Sequence, residues 1–158
     1  MMGTLESPSA MASSSPSSSS RAAVARNSLL EVMPPEVLTG LMPLLELVPL
    51  KLGEVLYESG VVQQYVYFPT DCIVSLLYVL ENGQSAEIAV VGFEGMVGVA
   101  LLMGGGSTPN RAVVQSAGHA FRLSASHIKQ LTDNGGPLLH LLLRYTQSLI
   151  TQMSQTAV

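Results

Sequence analysis

Glu87-Ile88-Ala89-Val90-Val91-Gly92-Phe93-Glu94-Gly95-Met96-Val97-Gly98-Val99-Ala100-Leu101-Leu102-Met103-Gly104-Gly105-Gly106, running on through Ser107-Thr108-Pro109-Asn110-Arg111-Ala112, is the stretch on which the fold turns. A β-rich run leads into glycines, then a single helical turn starting near Gly98, then a glycine loop and an arginine that opens the next strand. The free amides of so short a turn, together with the Arg111 guanidinium, would make a small anion site, because a planar, permanently charged fork suits phosphate. The plainer reading of the glycines is a tight connection between strands. No Gly-Lys-Ser/Thr sequence closes the run, which excludes a nucleotide-hydrolysing phosphate loop.

Around this stretch lie short β-rich runs at 47–52, 55–57, 65–68, 73–80, 86–91, 112–116 and 119–123, separated by turn residues. Such spacing predicts an antiparallel sandwich or barrel of seven or eight strands. Asn82-Gly83 is the strongest hairpin signal among them. Upstream, Asn27-Ser28 reads as a polar cap, and Pro35-Glu36 starts a short helix with Leu38, Leu41 and Met42 on one face. Residues 27–136 therefore form one domain with short flanking helices. Residues 1–26, with Ser13-Ser14-Ser15-Pro16-Ser17-Ser18-Ser19-Ser20 at their centre, read as a disordered Ser-rich tail. Residues 137–158 contain no Gly or Pro after Pro137 and predict a long helix. Leu138, Leu142, Tyr145, Leu149, Met153 and Thr156 recur on it at steps of three and four, the spacing of a pairing seam. Part of that face is expected to pack on the chain's own sheet. The length beyond it predicts a homodimer joined through Leu142, Tyr145, Leu149 and Met153.

Composition removes several functions. From residue 29 onward five basic side chains face ten acidic ones, scattered rather than clustered, so a phosphate-led grip on nucleic acid would oppose the domain's mean field. His119, His127 and His140 have no metal-ligand spacing, and no nucleophile elbow frames a serine, so neither a metal centre nor an enzyme is expected. The single cysteine, Cys72, suits a reducing compartment and a packing role. No secretory signal precedes the domain, and Glu81, Glu87, Glu94, His140 and Arg144 interrupt every long apolar run. A soluble, cytoplasmic protein without a membrane partner is the expectation.

A short N-terminal helix, then Gly53-Glu54-Val55-Leu56-Tyr57-Glu58-Ser59-Gly60, Tyr65-Val66-Tyr67-Phe68-Pro69, the Gly98 turn, and Arg111-Ala112-Val113-Val114 before a long helix, occur in an order that resembles the Crp/Fnr family of bacterial transcription regulators. The resemblance spans residues 29–158. It implies a cyclic-nucleotide-binding-type β-roll with a long dimerisation helix, relaying a signal to a C-terminal helix-turn-helix. It also implies a phosphate-binding cassette at Gly98, Val99, Ala100, Leu101, Arg111 and Ala112. The family's base-contacting polar residues lie late on the long helix, nearest by length to Ser154-Gln155. Two departures stand out. Where cyclic-nucleotide binders carry a ribose-binding glutamate after the cassette glycine, this chain has Val99; and the sequence ends at Val158, before any DNA-reading helix. The expected function is thus an effector-sensing and dimerisation module of a truncated regulator, with a degenerate pocket for a cyclic nucleotide or other small acidic effector. The alternative is a ligand-free interaction module that forms inactive heterodimers with full-length relatives.

Overall fold

The computed structural model describes residues 18–156. Seven strands form two antiparallel sheets. β1 (Glu46–Leu50), β7 (Gly118–Ser124) and β3 (Tyr65–Pro69) make the first, with β7 in the middle; β2 (Val55–Tyr57), β6 (Asn110–Ser116), β4 (Ile73–Val79) and β5 (Ser85–Val91) make the second in that order. The helices are α1 (Ser18–Val24), α2 (Ser28–Glu31), α3 (Pro35–Leu41), α4 (Ala125–Thr132) and α5 (Pro137–Thr156), with 3₁₀ turns at Met42–Leu44 and Val99–Leu102.

The period-2 alternation of strands explains how these elements stack. Val66 and Phe68 on β3, with Phe121 and Leu123 on β7, point to one face and join Leu30, Leu41, Met96, Ile128 and Leu142 in a core beneath the helices. Tyr67 and Ala120 point the other way and meet Val74, Leu76, Ala89, Val91, Ala112 and Val114 of the second sheet. β3 is therefore buried on both faces, which is why residues 65–69 read as an unbroken apolar run. The hairpin expected at Asn82-Gly83 joins β4 to β5. Gly83 adopts φ +86°, while the Asn82 side chain accepts from the Gln84 amide at 2.9 Å.

The tail boundary expected at residue 26 falls inside ordered structure. Residues 18–24 form α1, and Val24, only 3% exposed, joins the helical core. The serine-rich average over residues 1–26 concealed a short Ala-Ala-Val patch that has something to bury. The rest of that tail, residues 1–17, lies outside the described residues. At Asn27 the cap is real and does more than cap. Its Oδ1 accepts from Leu29 and Leu30 amides, while its Nδ2 donates to the carbonyls of Pro69 (2.8 Å) and Gly95 (2.9 Å).

α5 extends for 20 residues, roughly 30 Å at the helical rise. Its stripe of Leu138, Leu142, Tyr145, Leu149 and Met153 does not form a free seam. Leu138 and Leu142 are buried in the helical core, Leu149 is buried between the sheets, and Tyr145 and Met153 pack beside them. At these positions the chain's own clusters cover the stripe, with α5 lying against β5 and the Val99–Leu102 turn. No helix among the described residues is long and apolar enough to cross a membrane.

Candidate functional site

Two loops build the site. The first runs from Val97, which pairs with Tyr67 through hydrogen bonds of 2.8 and 2.9 Å, into Gly98 at φ +111°. A Cβ at Gly98 would come 3.0 Å from the Tyr65 carbonyl oxygen and 3.1 Å from Val66, so both the dihedral and the close approach require glycine. The 3₁₀ turn Val99–Leu102 follows, with Ala100 and Leu101 buried and Val99 half-buried against both cores. Its side chains thus anchor the turn. Beyond it, Gly104 and Gly106 have positive φ, and the Gly106 amide bonds back to Ala100.

The second loop joins β2 to β3 and runs alongside the first. The Gly60 amide donates to the Thr108 carbonyl at 2.7 Å, and the Gln63 amide to the Gly106 carbonyl at 2.6 Å. At the start of β6, beside these loops, sits Arg111, whose Nε and Nη2 donate to the two carboxylate oxygens of Glu58 at 3.1 Å each. Ala112 is fully buried, in register with Leu76 on one side and Tyr57 on the other. Leu101 joins the core beneath the helices, Ala112 the interior between the sheets, and Val99 touches both, while Arg111 turns to Glu58.

Two tyrosines close this end of the roll. Tyr57 packs against the interior cluster with its hydroxyl at Thr108, and burial pushes its pKa up to about 12 despite that hydrogen bond. Tyr145 on α5 reaches across to a backbone hydrogen bond at Met96 and is likewise raised by burial, to about 12. Its ring lies directly over Gly95, where a Cβ would collide with the phenol oxygen. Beyond Tyr145, a groove of about 690 Å³ opens between the β4–β5 hairpin and the end of α5, bounded by Tyr78, Leu80, Ile88, Asn110, Ile150 and Met153. Ser154 lines it, whereas Gln155 is exposed.

The histidines occupy separate places. His119 faces Asp71, His127 meets the Ser124 hydroxyl at 2.9 Å, and His140 lies exposed on α5. Among the described residues no three of His, Cys, Asp and Glu converge on a point that would hold a metal ion. Burial raises the Cys72 thiol to about 11, with the Asp71 charge adding to the effect. Glu58 has no visible partner in the sequence, and nothing there marks Tyr145 as a cover. Neither contact leaves a local signature, since 53 residues separate Glu58 from Arg111.

Residues 47–134, more than half of the chain, match the cyclic nucleotide-binding domain family, and the chain belongs to that family. Solved structures agree on the fold. A regulatory subunit of a cAMP-independent protein kinase A from Trypanosoma brucei, a mutant bound to cAMP in its A site, superposes with a TM-score of 0.68 at 16% identity, over 82% of this chain and 48% of that one. This chain thus spans about half the length of that regulatory subunit. A cyclic nucleotide-binding domain from Methylobacillus flagellatus gives 0.68 at 16% identity, covering 87% and 82%. The sensor domain of the transcriptional regulator DNR from Pseudomonas aeruginosa gives 0.64 at 19% identity, covering 85% and 91%. No curated protein matches the sequence.

Proposed function

We propose that this chain is the effector-sensing and pairing module of a Crp/Fnr-like transcription regulator. The observation that carries the reading is the continuity between cassette and helix. The loop that leads into the Gly98 turn holds Tyr145 at Gly95 and Met96, and Tyr145 belongs to the helix that lies along the roll. A small molecule entering at the Gly98 turn or at the groove beside Met153 must change how α5 lies on the second sheet, and any partner docked on α5 senses that change.

Pairing then falls to the outer face of α5. Leu143, Gln147, Ile150 and Ser154 are exposed and stand at steps of four, three and four, the spacing of a helix–helix seam, with Leu143 38% and Ile150 44% exposed. This outer stripe replaces the inward one as the proposed dimer interface.

Sedimentation velocity on the full chain tests both halves of the reading. The wild type is expected to sediment as a dimer and Ile150→Glu as a folded monomer. An effector found by thermal shift against a small-metabolite panel is expected to alter the dimer's sedimentation or its stability. A folded chain that is monomeric at every concentration and answers to no compound would overturn the proposal.

A further inference from the structure

Arg111 already has an anion in its fork. Glu58 meets it side-on with two hydrogen bonds of 3.1 Å, the geometry in which a guanidinium holds a carboxylate or a phosphate most firmly. The loop carrying Glu58 is fastened to the glycine loop through Gly60–Thr108 and Gln63–Gly106, which holds its backbone beside Arg111 and keeps the carboxylate within reach of the guanidinium.

We propose that Glu58 is the specificity-determining residue of this site: a built-in counter-ion that fills the arginine fork, shuts the cassette to cyclic phosphodiesters, and leaves the site to an effector without a phosphate. The proposal rests on the sensing reading of the same site and names the chemistry of what is sensed. A tethered carboxylate competes at an effective concentration in roughly the millimolar range, which disfavours a phosphodiester at micromolar levels that gains no further contact in the site. The neighbouring positions agree. Val99 packs its side chain into the core and offers nothing to a ribose hydroxyl. The groove at the end of α5 has no lysine or arginine in its lining among the described residues, and the one charged residue there, Glu87, is acidic. Its remaining lining is apolar, apart from the neutral polar groups of Tyr78, Asn110 and Ser154, which suits an uncharged ligand.

Isothermal titration of the full chain with cyclic AMP tests this, using wild type, Glu58→Gln, and Glu58→Gln combined with Arg111→Ala. Both side chains of the pair are partly exposed, so the variants are expected to fold, with circular dichroism as the check. The wild type should give no saturable heat. Glu58→Gln should bind at least ~10-fold more tightly than the wild-type detection limit, since it frees the fork, and the double variant should lose that gain. Saturable binding of cyclic AMP by the wild type would overturn the proposal, as would a folded Glu58→Gln protein that gains nothing. A chain that neither pairs in sedimentation nor answers to any compound would sink the regulator reading and leave this result standing.

Discussion

At the scale of single residues, Asn27 and Gly95 hold the most. Asn27 is fully buried and satisfies four backbone groups from three segments of chain, so Asn27→Ala should cost about 2–4 kcal/mol, measured by urea unfolding. Asn27→Asp keeps the acceptor for the helix but points a second oxygen at the Pro69 and Gly95 carbonyls. Its acid must be protonated to donate there, which raises its folded pKa above the unfolded value of about 3.9. The variant's stability relative to wild type should therefore be best below about pH 4 and fall as pH rises, the reverse of an ordinary surface aspartate. Gly95→Ala forces Tyr145 aside and should cost ~1–3 kcal/mol, with most of the loss removed when Tyr145→Ala is added; a cycle showing simple additivity would refute the contact. Cys72, buried and raised to about 11, should alkylate with iodoacetamide at pH 8 far more slowly in the native protein than in urea. The turn at Gly98 is legible in the sequence because glycine spacing is local information. The Glu58–Arg111 pair was not, because nothing in a linear string says which carboxylate a folded loop will present.

At the scale of elements, the strands are legible in the sequence, whereas the stripe on α5 is met largely by the chain's own core. Period-2 runs and turn residues locate β3, β4 and β5 because a half-buried pleat demands them. A heptad-like stripe on a helix, by contrast, says that something apolar covers it and not what. Leu142 and Leu149 are covered by this chain's own cores, so Leu149→Ala should destabilise the fold by about 2–5 kcal/mol. Ile150→Ala, one residue away on the exposed face, should change the unfolding of an isolated chain by less than ~0.5 kcal/mol and act on association instead. Similar losses for the two variants in denaturant, at concentrations too low for pairing, would contradict this division of the helix. α1 escaped notice for the opposite reason: its burial is a single residue, Val24, set among serines and alanines.

At the scale of the whole molecule, two cores share one wall. Val66, Phe68 and Phe121 face the helices and each has a neighbour, Tyr67 or Ala120, facing the roll interior, so a shift of the helical layer is felt inside the roll without any dedicated lever. The order of the first sheet carries a consequence for synthesis. β7, its central strand, is the last strand to leave the ribosome, and β1 and β3 do not pair with one another. Glu46 must wait for Arg122, and Phe68 for Phe121. Until β7 emerges, the apolar run 65–69 lacks its strand ladder and has on its other edge only the single Tyr67–Val97 bridge, so it is a stretch of nascent chain on which holding chaperones act. Closure of such distant pairs is entropically slow, so refolding from urea should occur in roughly milliseconds to seconds, and a chain cut before Gly118 should be rapidly proteolysed rather than half-folded.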